Sequence, residues 1–125
     1  MSGIKNKGIK YAFEGREYTL TLTLSVLDAI CDAYGSTDAL FSKIQSQDER
    51  EMRDAAIWTM CQMINDDIER QAEEGGERRA PYTPEYIKRH TRAIEIRPLF
   101  TTVVRALTDG LTDAADAAAG DDPNA

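Results

Sequence analysis

The single histidine, His90, limits the catalytic schemes that this sequence could support. Nucleophilic triads, cysteine–histidine pairs and histidine-ligated metals would all have to use it. Its neighbours along the chain include Lys88, Arg89 and Arg92. Nearby positive charges resist protonation of an imidazole ring and do not orient it as a base. We therefore expect His90 to occupy a boundary position on a helix.

The two cysteines, Cys31 and Cys61, both fall among apolar residues of predicted helices. Neither has a histidine or another cysteine at the spacing of a metal site. A disulfide would need an oxidising compartment, of which the sequence gives no other sign. We expect both residues to be reduced thiols in the core.

Acidic residues between positions 66 and 77 are the candidates for binding a divalent cation. They lack the Asp-x-Asp-x-Asp-Gly loop of calcium sites, and Arg70 and Ile68 interrupt them. A solvated helix face with local ion pairs is the expected role of Asp66, Asp67, Glu69, Glu73, Glu74 and Glu77. Gly75-Gly76 is followed by Glu77, which would repel a phosphate. The sequence therefore predicts a protein that is not an enzyme and has no cofactor or metal.

Positive charge is concentrated in one short region of an otherwise acidic chain. This cationic region consists of Arg78, Arg79, Lys88, Arg89, Arg92 and Arg97, with Tyr82 and Tyr86 close by. It either matches acids of the long predicted helix within the molecule or forms a docking surface for an acidic or helical partner. Arginine with tyrosine is also typical of nucleic-acid grooves. The net charge of −7 argues against nucleic acid and anionic membranes as partners.

Trp58 lies on the long predicted helix, off its main apolar row. It either closes the flank of the core or anchors a partner. Met52, Met60 and Met63 belong to the same helix, and methionine-rich faces adapt well to variable partners. The predicted partner-binding residues are Trp58, Arg78, Arg79, Tyr82, Tyr86, Lys88, Arg89 and Arg92.

A β-hairpin and a series of helices must position these side chains. Apolar and polar residues alternate over residues 9–13 and again over 18–24, as expected for strands with one buried face. If Glu14-Gly15 is the centre of the turn, Tyr11 faces Tyr18, and the apolar side chains share one face.

Capping signals then divide the rest of the chain into helices. Ser25, with Asp28, is expected to cap a first helix that ends at Gly35, and Ser36 to cap a second. The longest helix opens at Gln47-Asp48 and runs to about Glu74. Its predicted inward residues are Met52, Ala56, Ile57, Met60, Cys61, Ile64 and Ile68.

Two further helices follow in the prediction. Thr83-Pro84-Glu85 is a strong helix start, and Pro98 restarts the chain into a last helix. The inner stripe of the first of these is Tyr86 or Ile87, His90 or Thr91, and Ile94. That of the last helix is Leu99, Val103, Leu107 and Leu111.

The prediction is thus an α+β, mainly α protein with an N-terminal hairpin and four or five helices. With 125 residues it forms one domain at 9–112, between a flexible lead-in at 1–8 and a disordered Ala/Asp-rich tail at 113–125. No apolar run is long enough to cross a bilayer, and the start lacks the plan of a signal peptide. We therefore expect a cytoplasmic protein.

This plan resembles the tail assembly chaperones of long-tailed, siphovirus-like bacteriophages and prophages. The resemblance covers about residues 9–111. It rests on the hairpin at 13–20, a helix ending in Tyr34-Gly35, a long helix, the Thr83-Pro84-Glu85 start and a final apolar helix.

The resemblance implies a non-enzymatic role in the host cytoplasm. Such proteins bind the tape-measure protein, help tail-tube protein to polymerise around it and are not retained in the mature virion. They are often made in two forms by frameshifting, and here the junction would fall after Thr112. The family has no catalytic residues to carry over, and self-association stays open. Two alternatives are a structural head–tail joining component and an acidic inhibitor that mimics DNA, although Arg50, Arg53 and Arg70 interrupt the acids that a mimic needs.

Overall fold

The computed structural model describes residues 8–120, with side chains as far as Thr112. Its two strands are β1 (Ile9–Phe13) and β2 (Arg16–Leu20). They are followed by α1 (Leu24–Tyr34), α2 (Thr37–Ile44), α3 (Glu49–Glu73), α4 (Pro84–Arg89), a 3-10 turn (Ala93–Glu95) and α5 (Ile96–Gly120). The predicted class, α+β and mainly α, is confirmed.

The hairpin has the predicted register. Tyr11 pairs with Tyr18, and Ile9 pairs with Leu20. Glu14 and Gly15 both have positive φ, 53° and 79°, as a two-residue turn of type I′ requires. The alternation continues in sequence beyond the last paired residue, and there the prediction is wrong: Leu24 begins α1 and is 77% exposed.

Helix α1 begins earlier than predicted because Thr23, not Ser25, is its capping residue. The Thr23 hydroxyl accepts a hydrogen bond from the Val26 amide at 3.2 Å. Gly35 ends the helix at φ 95°, and the Ser36 hydroxyl caps α2 by accepting from Ala39 N at 3.0 Å, both as predicted.

Helix α3 is the centre of the fold, since it contacts β2 and all four other helices. Asp48 caps its start by accepting from the Arg50 and Glu51 amides. Its predicted inward row is buried apart from Met52, which is half-buried. The structure adds Ala55, Thr59, Met63 and Asp67 to its buried residues.

Two predicted core positions are wrong. Cys31 is exposed, because α1 buries only Val26 and Ile30 fully. Ile94 is 76% exposed, because α4 ends at Arg89 and the predicted helix therefore does not extend to position 94.

Helix α5 begins at Ile96, which places Pro98 in the first turn. Backbone N–H groups in the first turn have no partner within the helix, so proline, which lacks one, is tolerated there. Leu99, Val103 and Leu107 are buried as predicted, and Leu111 is half-buried. The backbone is helical to Gly120, which lies within the Ala/Asp-rich tail at 113–125, and the disorder of that tail stays a prediction. The rest of the predicted tail, 121–125, and residues 1–7 of the predicted lead-in lie outside the described residues.

Within residues 8–120, no helix is long and apolar enough to cross a membrane.

Candidate partner-binding surface

Arg79 is held between two tyrosines and does not project toward solvent as a free docking group. One guanidinium nitrogen donates to the Tyr18 hydroxyl at 2.7 Å and the other to the Tyr82 hydroxyl at 3.3 Å. The guanidinium also lies 5.7 Å from the centre of the Tyr18 ring. Burial, followed by the hydrogen bond with Tyr82, raises the pKa of Tyr18. The predicted binding residues Arg79 and Tyr82 therefore join the 74–83 loop to the hairpin.

The same loop is fixed to α3 by Asn65, a residue that the sequence analysis missed. Its side-chain oxygen accepts from the Tyr82 amide at 2.8 Å, and its side-chain nitrogen donates to the Tyr82 carbonyl at 2.9 Å. The Cys61 thiol lies 3.4 Å from that carbonyl oxygen. Asn is a weak helix former, and its position on the inner side of a long helix was a signal that it makes tertiary hydrogen bonds.

Two members of the cationic region are matched by acids of α3. Arg78 lies 3.3 Å from Glu69, and Lys88 lies 3.1 Å from Asp54. All four side chains are about half exposed or more, so each pair contributes little to stability. For these two residues the geometry agrees with the first alternative, in which their charges pair with acids of α3 within the molecule.

Tyr86 and His90 form a stacked pair on the exposed side of α4. Their ring centres are 4.0 Å apart, and the His90 Nδ1 atom lies 2.9 Å from the Tyr86 carbonyl oxygen. The Tyr86 hydroxyl donates to the Glu14 carboxylate at 2.8 Å, which raises the pKa of Tyr86. His90 is exposed, and it is the Tyr86 hydroxyl, bonded to Glu14, that joins α4 to the hairpin turn.

Arg89 and Arg97 are the members of the cationic region with the least engaged charge. Both are exposed, and among the described side chains neither makes an ion pair. Arg92 lies 3.7 Å from Glu95, whose carboxylate also accepts from the Arg92 amide at 2.8 Å. Arg89 and Arg97 are therefore the best placed to meet an external acidic group.

Trp58 closes the flank of the core. Its ring meets that of Tyr34 edge to face at 5.1 Å, and its side chain is half-buried against the core cluster. Trp58 follows Asp54, the partner of Lys88, by one turn of α3.

Part of the acidic stretch is not a solvated helix face, so that prediction is wrong for Asp66 and Asp67. Asp67 is 3% exposed and accepts from the Thr19 amide at 3.1 Å and from Gln71 at 2.6 Å. Asp66 accepts from the Thr23 hydroxyl at 3.1 Å and from Arg70 at 3.0 Å. These carboxylates accept hydrogen bonds from a backbone N–H of β2 and from the residue that caps α1. Such donors need a partner when they are buried.

A groove between the first turns of α3 and α5 was not predicted. We call it the α3–α5 groove. Its volume is about 550 Å³, and it is lined by Glu49, Met52, Arg53, Ile96, Arg97, Phe100 and Thr101. Met52, Ile96 and Phe100 are half-buried and form its apolar floor. The signal in the sequence was an apolar surplus: Ile96 and Phe100 lie off the inward row of Leu99, Val103 and Leu107.

The two thiols lie on different helices, and only Cys61 is buried. Burial raises the pKa of the Cys61 thiol to about 11, so its thiolate form is disfavoured. Cys31 is exposed on another helix. Among the described side chains, no three His, Cys, Asp or Glu residues are grouped so that they could hold a metal ion.

Comparison with known proteins identifies no relative. No protein-family model matches the chain, and neither a curated protein nor a solved structure matches it.

Proposed function

We propose that this chain is a non-enzymatic tail assembly chaperone of a bacteriophage or prophage. In this proposal it binds helical segments of the tape-measure protein and promotes polymerisation of tail-tube protein around them. The observation that supports it most is the α3–α5 groove. An open apolar groove between two helix ends is the type of site into which an amphipathic helix packs its apolar face.

The physical properties of the chain suit this role. A long helical client with exposed apolar stripes aggregates unless those stripes are covered. A net charge of −7 would keep the resulting complex soluble. The half-buried Met52 in the groove floor can adapt to apolar side chains of different shape along a long helical client.

The cationic region is proposed as a secondary contact. Arg89 has no ion pair among the described side chains, and Arg92 pairs loosely with Glu95. Reversing both charges, as in Arg89→Glu with Arg92→Glu, should weaken capture of an acidic client while leaving thermal stability nearly unchanged. An equal loss of capture and stability would show that these residues have a structural role.

The proposal places the complex in the host cytoplasm and outside the finished particle. Quantitative mass spectrometry of infected-cell lysates and of purified virions tests this. A chaperone is abundant in the lysate and absent from particles. A stoichiometric amount in particles would instead identify a structural component such as a head–tail joining protein.

The DNA-mimic alternative has less support. A mimic must present its carboxylates outward in a continuous stripe, whereas Asp66 and Asp67 bind the hairpin and the start of α1. Competition with duplex DNA for a nuclease or repressor would restore that alternative.

A further inference from the structure

The α3–α5 groove combines an apolar floor with a positively charged rim. Ile96 and Phe100 are one helical turn apart on α5, and Met52 faces them from α3. Arg53 stands on the α3 wall and Arg97 on the α5 wall. The α3 wall therefore contributes one apolar side chain and one guanidinium, and the α5 wall contributes two apolar side chains and one guanidinium.

The charge of the rim is only weakly neutralised within the protein. Arg53 lies 3.5 Å from Glu49, whose side chain is 84% exposed, so the pair is long and loosely held. Arg97 is exposed and makes no ion pair among the described side chains. One acid and two arginines line the groove, which makes it locally cationic in a protein of net charge −7.

The size of the groove suits a row of side chains. About 550 Å³ accommodates a few large apolar side chains, not an entire helix. A helix lying along the groove would insert apolar residues at i, i+4 and i+7 between Met52 and Phe100. The residues that flank this stripe would then lie beside Arg53 and Arg97, where carboxylates are favoured.

We propose that the α3–α5 groove binds one amphipathic helix of a partner protein, with glutamates or aspartates flanking its apolar stripe and facing Arg53 and Arg97. This inference rests on the proposed function and adds to it the location of the site and the chemistry of the client segment.

A second copy of this chain is a poorer occupant. In a symmetric pairing across the groove, Arg53 and Arg97 of one copy would face the same two arginines of the other. Like charges placed opposite each other at an interface are unfavourable. The partner helix must therefore be more acidic at its flanks than this surface is.

The test uses two synthetic 21-residue amphipathic helices with the same leucine stripe, one with glutamate and the other with lysine at the flanking positions. Their binding to the full chain is measured by fluorescence anisotropy. We expect the glutamate peptide to bind at least about tenfold more tightly than the lysine peptide. The double variant Arg53→Glu with Arg97→Glu should lose at least about tenfold in affinity for the glutamate peptide, because attraction becomes repulsion.

Arg50→Glu with Arg105→Glu is the matched control, since it makes the same two charge reversals, one on α3 and one on α5, at exposed positions outside the groove. It should bind the glutamate peptide as the wild type does. Circular dichroism melts of all variants show whether a loss of binding comes from unfolding, and the single variant Arg97→Glu is used if the double variant is unstable.

Several results would overturn the inference. They are equal affinity for the two peptides, unchanged binding by the groove variant, or a dimer in analytical ultracentrifugation that the groove variant abolishes. The proposed function is tested separately with fragments of the cognate tape-measure protein. Capture by both wild type and groove variant would refute the groove site alone, whereas no capture by the wild type would refute the chaperone function.

Discussion

The side-chain amide of Asn65 brackets the backbone of Tyr82. It accepts from the Tyr82 amide at 2.8 Å and donates to the Tyr82 carbonyl at 2.9 Å. Through this contact α3 fixes the loop that carries Arg78 and Arg79 and that leads into α4. Asn65, an uncharged side chain, is therefore one of the groups that position the cationic region.

Asn65→Ala should lower the free energy of unfolding by about 2 kcal/mol, because two backbone groups of Tyr82 lose their partner. Gln62→Ala, one turn earlier on the same helix, should change it by less than about 0.5 kcal/mol. Urea denaturation monitored by circular dichroism measures both. Equal effects of the two substitutions would show that the bracket contributes nothing specific.

Asp67→Ala should be destabilising by about 2–3 kcal/mol. The substitution leaves the Thr19 amide and the Gln71 side chain without their acceptor and removes a carboxylate 3.5 Å from Arg70. Glu73→Ala removes an exposed acid of the same stretch and should be nearly neutral. Thermal melts of the two variants compare them, and a neutral Asp67 variant would contradict the assigned role of this network.

Ile87 and Ile94 are seven residues apart in sequence and differ in burial, being 0% and 76% exposed. Ile87→Ala should cost about 2–5 kcal/mol, because it opens a cavity beneath α4. Ile94→Ala should cost less than about 0.5 kcal/mol. A large loss at Ile94, measured by urea denaturation, would mean that this side chain packs in the core as the sequence predicted.

The two thiols should react at very different rates. Cys31 is exposed and should be modified rapidly by a thiol reagent at pH 8, whereas Cys61 should react only after unfolding in denaturant. Ellman's reagent counts the thiols under each condition. Rapid reaction of both in the native protein would contradict the burial of Cys61.

Cys61 should also make stability depend on alkaline pH. Burial raises its pKa from 9.0 to about 11, so between these values the unfolded thiol loses its proton while the folded thiol retains it. The free energy of unfolding should therefore fall as pH rises from 9 to 11, by up to about 2 kcal/mol. Cys61→Ala lacks this component, and an equally steep fall in that variant would assign the effect to the tyrosines.

Local signals predicted the hairpin and most helix ends. The register followed from the turn at Glu14-Gly15, because only one turn length places Tyr11 against Tyr18. Gly35, Ser36 and Thr83 ended or started helices as expected, since each acts on its own neighbours in the chain. The prediction was wrong at Leu24, because the Thr23 hydroxyl caps α1 and the helix begins there, although the alternating pattern in the sequence continues to Leu24.

The surface was less predictable because its arrangement depends on contacts between residues distant in sequence. Tyr18 and Arg79 are 61 positions apart, and no spacing rule joins them. The same is true of Asp67 with Thr19 and of the two walls of the α3–α5 groove. The exposure of Ile94 depends on the residue at which α4 ends, and the sequence of α4 contains no clear stop signal.

Co-expression with the cognate tape-measure protein is the most direct test of the central claim that this chain binds helical segments of a tail protein. The amount of soluble tape-measure protein that co-purifies with the tagged chain is measured against an untagged control. If the chain is such a chaperone, the tape-measure protein is soluble only when co-expressed and elutes with the chain as one complex. A tape-measure protein that stays insoluble and does not co-purify would refute the proposed function.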